Sequence, residues 1–232
     1  MKTSKIIFIS LLGTVALLIM ATTIDIKLNG HKSNSYPSDL FKTEKNRVAD
    51  YKILRLSNCN NIELICKDSS SVEIIYQKDS LLPHLNYITK GDTLFITDAR
   101  PKNHSKVTYK IQATGSLSQI VMKNSDITMK NLSSGSMVFE LDGSTINMNN
   151  EGVATPRMSC LIVSARNHSS ISTGDFRVDS IDLALQKSEA YMEIIANKIH
   201  GTLQDSSKVY ARQPGEIYLK KDSTSTISLN EY

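Results

Sequence analysis

The sequence predicts an all-β protein built as a parallel β-helix, a solenoid of about 19 residues per coil. The first observation is a repeated Ser-x-apolar-x-apolar motif, whose serines are Ser125, Ser144, Ser169, Ser188, Ser207 and Ser225. Their successive separations are 19, 25, 19, 19 and 18 residues. The second observation is the alternation of apolar and polar residues within each motif, which is typical of a half-buried strand. The third is the scarcity of helical i, i+3, i+4 apolar spacing after residue 50.

Each motif predicts one short strand that stacks on the equivalent strand of the next coil. Residues two apart point to the same face of a strand, so stacking sends two columns of side chains into the interior. The first column is Ile127, Ile146, Ile171, Ala190, Val209 and Ile227, and the second is Met129, Met148, Thr173, Met192, Ala211 and Leu229. Apolar runs between the motifs, such as 137–141 and 181–185, predict a second strand in each coil.

The chain divides into five predicted segments, which are a cytoplasmic tail (1–5), a transmembrane signal anchor or signal peptide (6–24), a linker (25–47), an N-terminal β segment that caps the solenoid (48–110) and the β-helix rungs (111–232). Residues 6–24 are uncharged, follow Lys2 and Lys5, and are long enough to cross a bilayer. The basic N-terminal flank predicts export of the remaining chain. We therefore expect a single-pass protein of the cell envelope, with the domain in the periplasm or at the cell surface.

Composition and motifs argue against several classes of function. The 27 basic and 23 acidic residues give a net charge of +4 with no block of one sign, which disfavours a nucleic-acid surface. The five histidines and three cysteines show no metal-ligand spacing, and the sequence has neither a nucleotide-binding glycine loop nor a Gly-x-Ser-x-Gly elbow. We therefore expect no cofactor, no metal and no catalytic residue.

Four short motifs precede the serine repeats in a characteristic order. They are Ile53-x-x-Leu56 leading to Ile62-Glu63-Leu64, then Val72-Glu73-Ile74, then Leu81-Leu82-Pro83-His84-Leu85, and finally Gly91-Asp92-Thr93-Leu94-Phe95-Ile96. With the serine-centred rungs, they resemble the head GIN domain family of auto-transporter adhesins, exported proteins common in Bacteroidetes. The resemblance covers residues 48–229. It implies a right-handed single-stranded β-helix, an exported location and no catalytic motif to carry over.

The outward face of the coils supplies a predicted partner surface, which consists of Glu189, Tyr191, Lys208, Tyr210 and Tyr218. The repeat places Tyr191 beside Tyr210 and Glu189 beside Lys208, with Tyr218 as an extension of the tyrosine column. Stacked tyrosines either stabilise the sheet as an aromatic ladder or offer a platform for sugar rings or for an apolar patch of a protein.

The sequence thus predicts a non-catalytic exported module, an adhesin or cell-envelope binding or structural protein, that presents its outer sheet to a glycan or an envelope protein. The alternative is a carbohydrate-active enzyme similar to β-helical polysaccharide lyases, which use aspartate-bound calcium and a basic proton acceptor. Glu189 beside Lys208 is one acid–base pair for such chemistry, but a cross-strand ion pair on a solvated sheet is the favoured interpretation. A third option, an envelope sensor, would need a membrane partner.

Overall fold

The computed structural model describes residues 40–78, 85–99, 107–132, 135–149, 157–174, 177–193, 195–212 and 214–230. These residues contain nineteen strands, which are numbered in chain order. The ten-stranded sheet contains, in spatial order, β1 (Phe41–Arg47), β4 (Ser71–Gln77), β7 (Thr108–Ala113), β3 (Ile62–Cys66), β9 (Asp126–Lys130), β11 (Thr145–Asn149), β13 (Ser170–Thr173), β15 (Glu189–Met192), β17 (Lys208–Arg212) and β19 (Thr226–Asn230). The nine-stranded sheet contains β18 (Glu216–Lys221), β16 (Ile195–Gln204), β14 (Arg177–Gln186), β12 (Arg157–Arg166), β10 (Ser136–Asp142), β8 (Gln119–Lys123), β2 (Ile53–Ser57), β6 (Thr93–Thr97) and β5 (Asn86–Lys90).

From β8 onward, successive strands alternate between the two sheets, and neighbours within each sheet are parallel. The register confirms both predicted columns, since each member pairs with the next one in the ten-stranded sheet. The members on β9 to β17 are buried, because polar and apolar residues alternate along each strand. Leu229 remains 52% exposed because β19 is an edge strand.

The predicted class, a right-handed single-stranded parallel β-helix, is wrong because both sheets are mixed. β4 runs antiparallel to β1 and β7, and β5 runs antiparallel to β6. The N-terminal strands also do not form a separate cap, since β2 pairs with β8 and β3 pairs with β9. The physical reason for the error is that alternating apolar residues give the same buried face to a parallel and to an antiparallel strand, so the pattern does not set strand direction.

The predicted membrane-spanning helix at 6–24 lies outside the described residues, as do the tail and most of the linker. Contacts divide the chain into Met1–Leu40 and Phe41–Tyr232, and all nineteen strands belong to the second of these. None of the described residues belongs to a helix with the length and apolar character that a bilayer crossing requires.

A ladder of buried serines connects the repeats through the interior of the corners between the sheets. The repeat serines from Ser125 to Ser225 are all at most 1% exposed. The backbone N–H of Ser125 donates to Oγ of Ser144 at 3.1 Å, and the N–H of Ser144 donates to Oγ of Ser169 at 3.1 Å. The same bond recurs at two later corners, and the Cys59 N–H donates to Oγ of Ser125 at the start of the ladder. Five of the hydroxyls also donate to a carbonyl of their own corner.

Candidate functional site

One row of outward-facing residues crosses all ten strands of the ten-stranded sheet, and we call it the outer row. In spatial order it is Lys45, Glu73, Lys110, Glu63, Thr128, Asn147, Ser172, Tyr191, Tyr210 and Ser228. The first four members alternate in charge, the next three are short and uncharged, and two tyrosines follow. Tyr191 and Tyr210 of the partner surface predicted from the sequence lie at the aromatic end of this row, with Glu189 and Lys208 beside them on the same strands.

Tyr191 and Tyr210 are stacked, with ring centroids 4.8 Å apart and ring planes within 3° of parallel. This separation matches the distance between neighbouring strands, so the strand register itself positions the rings. Each ring covers one face of the other. The remaining faces turn toward short side chains, Ser172 next to Tyr191 and Ser228 next to Tyr210. The pair is therefore an aromatic ladder with an open face at each end.

Glu189 fixes the orientation of Tyr191 and at the same time pairs with Lys208. One carboxylate oxygen accepts a hydrogen bond from the Tyr191 hydroxyl at 2.6 Å, and the other accepts one from Nζ of Lys208 at 2.8 Å. Both hydrogen bonds lower the pKa of Glu189, and the bond from Lys208 has the larger effect. The same bonds to Glu189 raise the pKa of Tyr191 and of Lys208. The three side chains thus form one cluster whose charges compensate each other.

Tyr218 does not extend the tyrosine stack, because it lies on β18 in the nine-stranded sheet. There it stacks on His200, with ring centroids 5.1 Å apart and an interplanar angle of 11°. Tyr218 is 59% exposed, which is more than the 38% of Tyr191. Of the five predicted surface residues, the structure therefore brings four together and places Tyr218 on a different face of the molecule.

A depression of about 530 Å³ adjoins the cluster and includes residues that the sequence did not single out. Glu189 and Lys208 line it together with His168, Lys187 and Asp205. These three lie at corners between the sheets, where the backbone has positive φ. A signal for them exists in the sequence, since polar turn residues directly precede each repeat serine, but these residue types are equally common at solvated turns. The depression adds charged and hydrogen-bonding groups to one side of the tyrosine pair.

Metal binding finds no support in the part of the chain that the structure describes. It contains no group of three or more histidine, cysteine, aspartate and glutamate side chains placed to hold an ion. The three cysteines are free thiols, and burial, the largest cause, raises the pKa of Cys59. The outer row and its neighbours offer ring faces, hydroxyls, an amide and a neutralised ion pair, and such groups can contact a ligand.

Fold and outer row together define an all-β protein of two mixed sheets with an open aromatic surface. The fold resembles that of a "putative adhesin" from Bacteroides fragilis, with a TM-score of 0.64 at 15% identity over 84% of this chain and 99% of that one. A "putative lipid binding protein" from Parabacteroides distasonis has a TM-score of 0.50 at 13% identity, over 84% of this chain and 98% of that one. A "putative adhesin" from Parabacteroides merdae has a TM-score of 0.45 at 13% identity, over 84% of this chain and 98% of that one.

The resemblance to adhesins of Bacteroidetes, first seen in the sequence motifs, is confirmed by the fold of the Bacteroides fragilis protein. At such low identities the likeness concerns the fold. No family model and no curated protein matches the sequence.

Proposed function

We propose that this chain is a non-catalytic binding module of the cell envelope, with an adhesin-like role, that presents the outer row to a glycan or protein partner. The observation that carries the proposal is the Tyr191–Tyr210 stack, in which Glu189 orients the Tyr191 ring and one ring face is open at each end. Aromatic rings that are oriented before binding contribute contact area at a small entropic cost. The outer row combines this stack with uncharged polar side chains, as a recognition surface requires.

The description of structural neighbours as adhesins and as a lipid-binding protein supports a binding role and a location in the envelope or outside the cell. These descriptions concern the neighbours, and their extension to this chain belongs to the proposal. The outer row supports the binding role independently, since the arrangement of its side chains does not call for a catalytic reaction. Among the described residues, the row is instead ordered by charge and size along the sheet.

The alternative, a polysaccharide lyase-like enzyme, is disfavoured by the state of its acid–base pair. Glu189 and Lys208 are bonded to each other, which lowers the pKa of the carboxylate and raises that of the ammonium group. Efficient general acids and bases have pKa values near the working pH, and both groups move away from neutrality here. The pair therefore serves to orient Tyr191 and to balance charge.

Binding of the full chain to an envelope fraction and to a glycan array tests the proposal. The double variant Tyr191→Ala with Tyr210→Ala should lose about tenfold or more in affinity, because it removes both ring faces. Tyr218→Ala is the matched control, since it removes an exposed stacked aromatic from the other sheet. Thermal melts of all variants establish that they are folded. Equal binding by the wild type and the folded double variant would overturn the proposed surface.

A further inference from the structure

The open face of Tyr191 looks along the outer row into a shallow trough. Three short members of the row, Thr128, Asn147 and Ser172, form its floor on β9, β11 and β13. The Tyr191 ring closes it at one end, and the longer Glu63 side chain stands at the other end on β3. A depression of about 370 Å³ occupies the Glu63 end, and the depression beside Glu189 adjoins the Tyr191 end.

The length of the trough follows from the sheet. Four strand-to-strand steps separate β3 from β15. At about 4.8 Å per step, the distance from Glu63 to Tyr191 is roughly 19 Å. One strand step is close to the length of one pyranose residue in an extended β-linked chain. An oligosaccharide lying across the strands would therefore place successive rings over successive floor residues.

The floor can bind hydroxyl groups. Thr145 and Ser170 flank the three floor residues, so the trough presents four hydroxyls and one amide. Each hydroxyl can donate or accept a hydrogen bond, and the Asn147 amide can do both at once. Within the described residues, these five side chains take part in no hydrogen bond with the rest of the protein. Their polar groups are therefore available to a ligand that is rich in hydroxyls.

The charges around the trough favour a neutral ligand. At one end, Nζ of Lys130 lies 3.6 Å from the Glu63 carboxylate, and at the other end Lys208 bonds to Glu189. Both cations are thus already compensated. Asp126 is exposed beside Thr145 and adds a negative charge at the edge of the floor. An acidic glycan on the floor would meet this carboxylate, since Lys187, a further cation, lies at the corner depression and not on the floor. A neutral glycan has no such penalty.

We propose that the trough binds a neutral, β-linked oligosaccharide of about three to four sugar residues that runs across the strands. Its terminal ring meets the open face of Tyr191 end-on, over Ser172, with C–H groups of its end directed at the aromatic ring, since the negative face of such a ring attracts C–H groups. Hydroxyls of the remaining rings bind Asn147 and the flanking threonines and serines. The inference rests on the proposed binding function and assigns its ligand class and the direction in which that ligand lies.

Two matched substitutions separate the trough from the rest of the tyrosine surface. Ser172→Tyr adds a third ring to the stack on the trough side and fills the place of the terminal sugar. Ser228→Tyr adds a third ring on the opposite side and leaves the trough open. Titration calorimetry of the full chain uses neutral β-1,4-linked gluco-oligosaccharides of two to six residues and uronic acid oligomers of the same lengths as probes.

The affinity of the wild type for the neutral series should increase with length and level off at about four residues, as the trough becomes filled. Ser172→Tyr should lower it by about tenfold or more, and Ser228→Tyr by less than about twofold. Tighter binding of uronic acid oligomers, equal affinity in Ser172→Tyr, or no binding of neutral probes by the folded wild type would overturn the trough assignment. If envelope binding is nevertheless lost in the Tyr191 and Tyr210 double variant, the proposed function stands without it.

Discussion

At the scale of single residues, the repeat serine satisfies two backbone groups at a buried corner. Its hydroxyl accepts from the N–H of the serine one repeat earlier and donates to a carbonyl of its own corner. The acceptor carbonyl lies two residues before Ser144 and three residues before Ser169, because the corner before Ser169 holds one more residue with positive φ. A serine hydroxyl suits these positions because buried backbone donors need hydrogen-bond partners.

Ser144→Ala should destabilise the fold by about 1–3 kcal/mol, because the buried N–H of Ser125 loses its acceptor. Urea unfolding measures the change as a shift in the transition midpoint. Ser164→Ala is the matched control, since Ser164 is exposed on the outer face of β12. Equal midpoints for the two variants would show that the ladder does not contribute to stability.

At the scale of strands, Gly201 allows β16 to pass close to β14. Its φ is +139°, a conformation that side chains rarely permit, and a Cβ at this position would lie 1.9 Å from the carbonyl oxygen of Leu183. Gly201 pairs with Leu183 in the sheet register, so the clash would fall on backbone that is held by the neighbouring strand. The strand therefore depends on the absence of a side chain at this point.

Gly201→Ala should destabilise the fold by about 3 kcal/mol or more, because the β14 and β16 backbones must separate to admit a methyl group. Gly135→Ala offers the comparison, since it has no atom within 4 Å of its would-be Cβ. Thermal unfolding monitored by circular dichroism reports both. A Gly201→Ala variant that melts with the wild type would mean that β16 follows a different path.

The sequence predicted the stacked part of the fold better than its N-terminal part, for a physical reason. The repeat serines fix the corners, so Ile146 is stacked between Ile127 and Ile171 as predicted. Strand β4 follows Ser70, whose hydroxyl bonds to Asp50 and not to the ladder, and β5 follows no repeat serine. Alternation alone does not reveal that both strands run antiparallel. Residue type alone groups Tyr218 with Tyr191, but Tyr218 lies outside the serine motifs and its strand belongs to the other sheet. The corner depression was missed because its residues resemble ordinary turn residues.

At the scale of the whole molecule, the ten-stranded sheet changes character along its length. Its outer row passes from alternating charges near Lys45, through the uncharged floor at Asn147, to the rings of Tyr191 and Tyr210. Because residues on one face of a sheet stay in line across strands, a few positions per repeat generate a continuous surface. We propose that this surface, rather than any single residue, is the functional part of the protein.

Nuclear magnetic resonance mapping of the surface with a neutral β-1,4-linked gluco-tetrasaccharide tests this central claim most directly. We expect the side-chain amide signals of Asn147 and the ring signals of Tyr191 to shift on titration, and the ring signals of His200 and Tyr218 on the other sheet to stay unchanged. Shifts confined to the nine-stranded sheet, or none at the outer row at saturating tetrasaccharide, would contradict it.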